Sequence, residues 1–146
     1  MLPGSYKVRK FSKSPYKRLR NPAKIYLVDV GICRKVGSDD LGRVLENVVF
    51  LELKKQGDVF YFEEEKECDF IVKDFNGNFK PYQLTYELTN KNEEREIKGL
   101  VNACNQLSTH KGTILSFDQQ GNMKIEGVNI EIIPVWQWLL SQKDYT

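Results

Sequence analysis

The sequence predicts an α/β domain in which a central mixed β-sheet is flanked by helices. Three observations carry the prediction. Short β-prone runs alternate with two long stretches of helical periodicity. Glycine, asparagine and aspartate cluster between several of the runs, where the chain must turn. The order strand, long helix, three strands, helix, strand, then a closing strand and helix is that of a layered sheet-and-helix architecture. At 146 residues the chain fits one domain large enough to bury its own core.

Residues 24–29, Lys-Ile-Tyr-Leu-Val-Asp, are β-prone and follow Pro22, which predicts a strand with Gly31 available to turn the chain. Ser38, Asp39 and Asp40 are N-cap candidates for a helix running to about residue 55, and Gly57 stops it. Apolar residues at Leu41, Val44, Leu45, Val48, Val49, Leu51 and Leu53 cover much of its circumference, which predicts a buried helix. Strands are expected over 59–62, 67–73 and 79–88, with an acidic run at 63–65 and a hairpin signal at Asn76-Gly77 between them. Ile97, Leu100, Val101, Cys104 and Leu107 recur at helical spacing, which predicts a helix over 92–107. A strand over 112–117, a turn at 119–122 and extended pieces at 124–125 and 128–133 follow. Pro134 is placed to open a last short helix over 135–140.

Charge divides the chain. The first 25 residues hold Lys7, Arg9, Lys10, Lys13, Lys17, Arg18, Arg20 and Lys24 and no acid, which leaves 14 basic against 20 acidic residues over the remainder. Residues 1–23 thus read as a basic leader or linker remnant, and 24–146 as the folded domain. Lys7, Arg9, Lys10, Lys13, Lys17, Arg18 and Arg20 are candidate nucleic-acid contacts, because lysine and arginine release counterions from phosphate. Tyr6, Phe11 and Tyr16 in the same arm suit either packing or base stacking. A solvated leader without a partner accounts for the same composition. No apolar run reaches the roughly 20 residues needed to cross a bilayer, so no membrane partner is expected. Cys33, Cys68 and Cys104 are odd in number and dispersed, and the single histidine is His110. That pattern argues against a zinc site and points to a reduced, cytoplasmic setting.

On a strand alternate side chains share a face. Over 67–73 this groups Cys68, Phe70 and Val72 on one side, and Asp69, Ile71 and Lys73 on the other. Over 79–88 it groups Gln83, Thr85 and Glu87 against Leu84, Tyr86 and Leu88. Antiparallel pairing through Asn76-Gly77 brings Asp69 toward the Gln83 face. Glu46 lies on the long helix with Val49, Phe50 and Leu53 on its side of the cylinder. A carboxylate among apolar neighbours is unfavourable unless paired or liganded. Glu46, Asp69 and Gln83 are therefore the candidate catalytic and metal-ligating residues. Hard Mg²⁺ is held by one or two carboxylates together with water and a substrate phosphate. It activates water and offsets charge on the phosphate, usually with a lysine nearby. Equally, Asp69 suits a surface residue beside a turn and Glu46 an ion pair with Arg43 at i−3. Spacing alone does not choose between these.

Four segments together resemble a known family: Pro-Ala-Lys-Ile-Tyr-Leu-Val-Asp-Val-Gly-Ile from Pro22, Gly-Arg-Val-Leu-Glu-Asn-Val-Val-Phe-Leu-Glu-Leu from Gly42, Glu-Cys-Asp-Phe-Ile-Val from Glu67, and Tyr-Gln-Leu-Thr-Tyr-Glu from Tyr82. The chain is similar over residues 12–140 to the uncharacterised C-terminal domain carried by many archaeal and bacterial P-loop ATPases of the AAA+ class. The resemblance implies a restriction-endonuclease-like fold of the PD-(D/E)XK type, with a four-stranded mixed sheet flanked by helices. It also implies an ATPase module, in cis or in trans, as a partner. No GxxxxGK[ST] phosphate loop occurs in this chain, so ATP hydrolysis by that route is not expected of it.

Carried over residue by residue, the nuclease motif places Glu46 on the helix acid, Asp69 on the strand acid, Gln83 on the second acid and Thr85 on the lysine. The first two match and the last two depart. Gln83 offers only a carbonyl oxygen, and Thr85 supplies no cation. Lys73, Lys80, Arg95 and Lys98 are candidate replacements for the lysine, and Glu87 for the acid. The favoured expectation is a nuclease-like module that binds nucleic acid or regulates the ATPase through a degenerate site, with DNA as the partner. A divergent DNA endonuclease dependent on Mg²⁺ or Mn²⁺, and a protein-interaction or assembly domain, stand as alternatives. Oligomeric state is not legible.

Overall fold

The computed structural model describes residues 5–14, 17, 21–27 and 41–142. Eight strands form one mixed sheet: β1 (Ser5–Lys10), β2 (Ala23–Leu27), β3 (Gly57–Glu63), β4 (Glu67–Asp74), β5 (Phe79–Leu84), β6 (Lys111–Ser116), β7 (Gly121–Ile125) and β8 (Val128–Pro134). Three helices flank it: α1 (Leu41–Lys54), α2 (Glu93–Gln106) and α3 (Val135–Ser141). Across the sheet the order is β2-β1-β3-β4-β5-β6-β8-β7. The strands β3, β4 and β5 form an antiparallel meander. The chain then crosses over through α2 to lay β6 parallel to β5, and returns through β7 so that β8 lies parallel to β6. The sheet so built has eight strands where the resemblance implies four. The α/β architecture of a mixed sheet between helices is as the sequence predicts.

The pattern of burial shows why each helix lies where it does. Val49, Phe50 and Leu53 of α1, with Val135 and Trp138 of α3, pack on Val59, Tyr61, Phe70, Val72, Tyr82 and Leu115. Ile97, Leu100, Val101 and Cys104 of α2 pack on the opposite face against Cys68, Ile71, Ile114, Ile130 and Ile132. Two glycines let α2 settle this deeply. A Cβ on Gly99 would lie 2.2 Å from the Glu67 carbonyl oxygen, and one on Gly112 would lie 2.8 Å from Leu100 Cγ.

Turn chemistry acts where it is expected at Asn76-Gly77. One oxygen of the Asp74 carboxylate accepts from the backbone N–H groups of Asn76 and Asn78, each at 2.9 Å, and Gly77 adopts φ 83°. A second hairpin, joining β7 to β8, is closed by Glu126 and Gly127 with φ of 50° and 78°. Positive φ at both loop residues matches the right-handed twist of the flanking strands.

Four expectations are corrected. Residues 5–10, assigned to the leader, form β1 inside the sheet, between β2 and β3. Their basic side chains mask a β-strand alternation in which Val8 is fully buried. The strand expected over 79–88 ends at Leu84. Thr85 N and Tyr86 O still bond Leu115 O and Phe117 N, and at Leu88 the side-chain amide of Gln119 takes over, accepting from Leu88 N and donating to Leu88 O. Gly121 and Asn122, assigned to a turn, begin β7. Finally, Cys68 and Phe70 do not share a face. Phe60 pairs with Ile71 but Phe62 pairs with Cys68, so Asp69 and Phe70 together face Tyr61 in a β-bulge. One extra residue sends Phe70 to the α1 side and Cys68 to the α2 side. Ser38, Asp39 and Asp40, the proposed caps of α1, lie outside the described residues, as do Gly31 and Cys33.

Gly99→Ala tests the close approach of α2 to β4. Alanine is favoured over glycine by about 1 kcal/mol in a helix interior. Overpacking costs about 1–3 kcal/mol, and the clash here is with backbone, so chemical denaturation is expected to show net destabilisation.

Candidate functional site

The bulge in β4 determines the geometry around Asp69. At the bulge the regular ladder to β5 stops, its last pair being Phe70 with Tyr82. Side chains take its place. The Asp69 carboxylate accepts from Leu84 N at 2.9 Å. In return Gln83 Oε1 accepts from Asp69 N at 2.8 Å, and Gln83 Nε2 donates to Glu67 O at 3.1 Å. Gln83 thus imitates a peptide group. Its side chain sits on the α2 side, where a Cβ on Gly99 would come within 3.2 Å of Nε2. As placed, Gln83 is a strut that satisfies both backbone groups left open by the bulge, each of which would cost about 1–3 kcal/mol if left buried and unpaired.

Glu46 approaches from α1. The helix is anchored to β2 by the neighbouring Asn47, whose side-chain oxygen accepts from Leu27 N at 2.9 Å and whose amide donates to Leu27 O at 2.7 Å. Beside it, the Tyr26 hydroxyl donates to Glu46 Oε1. Lys24 and Tyr26 stand two residues apart on β2 and so share a face. Lys24 Nζ forms an ion pair with Glu67 and lies 4.9 Å from the centre of the Tyr61 ring. Tyr61 in turn holds the start of β2, its hydroxyl donating to Pro22 O at 2.7 Å.

These groups set one another's protonation. Burial foremost, and then the charges of Glu46 and Glu96, push the Asp69 carboxyl up to about 7, against the pull of the Leu84 N–H and of Lys24. Burial opposes charge on Lys24. The Glu67 hydrogen bond, with the negative fields of Glu67, Asp69 and Glu46, more than offsets it and raises its pKa. Burial and the Glu46 carboxylate push Tyr26 far up, so its hydroxyl stays a donor.

Among the expected site residues, Glu46 and Asp69 share one electrostatic neighbourhood, whereas Gln83 is turned to the backbone. The candidate replacements for the missing lysine lie elsewhere. Lys80 pairs with Asp74 at 3.7 Å, Arg95 with Glu96 at 3.0 Å and Lys98 with Glu94, while Lys73 sits 5.8 Å from the centre of the Phe79 ring. Glu87 is exposed beyond the end of β5, where its carbonyl accepts from the Thr85 hydroxyl at 3.2 Å and from Asn92 Nδ2 at 2.8 Å. Sequence reasoning missed Lys24, Tyr26, Glu67 and Glu96 as members of the cluster. The period-2 pair Lys24 and Tyr26 on a predicted strand was the available signal.

A divalent metal does not fit the residues present. Both ends of the Gln83 amide are engaged by β4 backbone, and the Lys24 ammonium already supplies positive charge beside the acids. Among the described residues, no three His, Cys, Asp or Glu side chains gather as a ligand set.

The basic arm builds a separate feature. After β1, Phe11 packs between Phe60 and Phe79 at ring distances of 5.6 and 5.2 Å. Lys10, Lys13, Lys17 and Asn21 then line a groove of about 410 Å³ that also touches Glu64 and Gln106. Lys7 and Arg9 alternate with the buried Val8 on β1. Arg18 and Arg20 lie outside the described residues. Among the described residues no helix is long and apolar enough to cross a membrane.

The uncharacterized protein MJ1544 of Methanocaldococcus jannaschii is 36% identical to this chain over 116 residues, covering 71% of the chain and 26% of the relative. The chain thus spans about a quarter of that relative's length. No protein-family model matches the chain, and no solved structure matches it.

The Asp69 shift has a definite sign. A carboxyl whose folded pKa is raised to about 7 from 3.8 binds its proton more tightly when folded. Its contribution to stability is therefore complete below about pH 4 and is lost as pH rises to about 7, with a slope of up to ~1.4 kcal/mol per pH unit. Asp69→Asn keeps an oxygen for Leu84 N–H and removes the titration. Urea unfolding across pH 4 to 8 is expected to show this slope in the wild type and a flatter profile in the variant.

Proposed function

We propose that this chain is a nuclease-like domain of restriction-endonuclease-like architecture that binds the phosphate backbone of nucleic acid without cleaving it, as the C-terminal module of an AAA+ ATPase. The observation that carries the binding half of this reading is the groove in which Lys10, Lys13 and Lys17 converge. Lysines that line one groove release counterions from DNA phosphates when they bind it. The site geometry supports the absence of turnover. Glu46 and Asp69 keep the positions of two acids, but Gln83 braces backbone and Thr85 bonds the Glu87 carbonyl where the resemblance places a lysine. The greater length of the archaeal relative is in keeping with a module of this size serving within a larger protein. In such an ATPase the domain would hold DNA near the motor.

DNA binding measured as a function of salt tests the reading. Replacing Lys10, Lys13 and Lys17 with alanine is expected to weaken binding and to lower the slope of log K against log salt by roughly 2–3, since each phosphate contact contributes about 0.9 for duplex DNA. Plasmid incubated with the wild-type protein and Mg²⁺ is expected to stay intact. An unchanged slope in the triple variant would remove the groove from the account. Cleavage lost in Asp69→Ala would replace binding by catalysis.

A further inference from the structure

Nuclease-like architecture implies a divalent cation between Glu46 and Asp69, and the residues present disagree with it. We propose that β2 supplies an internal counter-ion in its place: Lys24 occupies electrostatically the position of the metal, and Tyr26 holds the helix acid beside it. The inference rests on the nuclease-like reading of these acids, but it does not depend on DNA binding by the groove.

The geometry assigns both roles to one strand face. Lys24 and Tyr26, separated by one residue, point the same way from β2, while the intervening Ile25 is half exposed. Tyr26 donates to Glu46 of α1, and its ring stacks on Phe50 at 4.5 Å, which leaves the hydroxyl little freedom to leave the carboxylate. Lys24 pairs with Glu67 at the start of β4 and lies in the fields of Asp69 and Glu46. The aromatic face of Tyr61 backs the ammonium. The acids whose charge Lys24 senses are thus Glu46 from α1 and Glu67 and Asp69 from β4, while Glu96 of α2 acts on Asp69 and is paired with Arg95. Among the described residues, Lys24 is the cation that Asp69 senses, because Arg95 and Lys98 are paired on α2.

A lysine in this place has a consequence that a metal does not. It is covalently part of the chain and cannot be withdrawn by chelation or diluted away. It also offers no activated water, because an ammonium binds no hydroxide as a ligand. The ammonium therefore offsets part of the negative charge of the acids without supplying a nucleophile. Removing the ammonium leaves Glu67 without its ion-pair partner and takes away the positive field felt by Asp69 and Glu46, which raises the local negative charge that attracts a hard dication.

Lys24→Met, tested with MnCl₂ alone, reads this out. Electron paramagnetic resonance of free Mn²⁺ is expected to show one ion bound per chain in Lys24→Met at least about tenfold more tightly than in the wild type, the difference expected from deleting one like charge at close range. Asp69→Asn added to that variant is expected to abolish the gain, and Lys24→Arg to stay at the wild-type level. The wild-type protein provides a reading that needs no variant. Carboxyl resonances of Glu46 and Asp69 are expected to show no localised paramagnetic broadening with Mn²⁺. Localised broadening there in the wild type, or a folded Lys24→Met protein that binds Mn²⁺ no better than wild type, would overturn the proposal. A loss of DNA binding in the groove variants would bear on the phosphate-binding reading and leave this result unaffected.

Discussion

The bulge at Asp69 and Phe70, closed by the reciprocal bonds of Asp69 and Gln83, is the constraint on which the rest of the structure depends. An extra residue in β4 leaves backbone groups that no neighbouring strand can meet in register. Gln83 answers two of them, Asp69 N and Glu67 O, and the Asp69 carboxylate in return meets Leu84 N of β5, so truncating either side chain leaves its own backbone partners open. Gly99 belongs to the same arrangement, because α2 lies directly against the Glu67 carbonyl that Gln83 also bonds. The faces of β4 follow from this single defect, with Phe70 buried under α1 and Cys68 under α2.

Burial of the bulge sets the electrostatics. A carboxylate taken out of water raises its proton affinity unless positive charge is near. Asp69 is desolvated, has Glu46 and Glu96 for neighbours, and receives only one backbone N–H and the field of Lys24. The strand that could best relieve this, β2, lies at the far edge of the sheet order, yet Tyr26 stacks on Phe50 and reaches Glu46 while Lys24 reaches Glu67. The Asn47 clamp on Leu27 holds α1 and β2 together, so the donor and acceptor of the Tyr26–Glu46 pair are positioned by one local contact.

What was legible in the sequence was local. The periodicity of α1 and α2, the existence of β3 and β4, and the Asn76-Gly77 turn are each decided by residues within a few positions of one another, and they stand in the structure as expected. Glu46 and Asp69 were singled out through the resemblance, because spacing alone did not distinguish a site from two ordinary surface acids. The bulge was not legible: strict alternation is the default for six consecutive residues, and only the register of β3 reveals the insertion. Gln83 was read as a ligand because its commitment to β4 backbone is a tertiary fact. Lys24 was counted with the arm because its value depends on where β2 sits beside α1. β1 was hidden for a different reason, since a basic strand has the composition of a leader until its partners are known.

Carbon-13 titration of the Asp69 side-chain carboxyl in the wild-type protein tests most directly whether this cluster is buried and closed on itself. A midpoint near 7, unmoved by added Mg²⁺, is the predicted result. A midpoint near the ordinary 3.8, or one that falls when Mg²⁺ is added, would contradict the account.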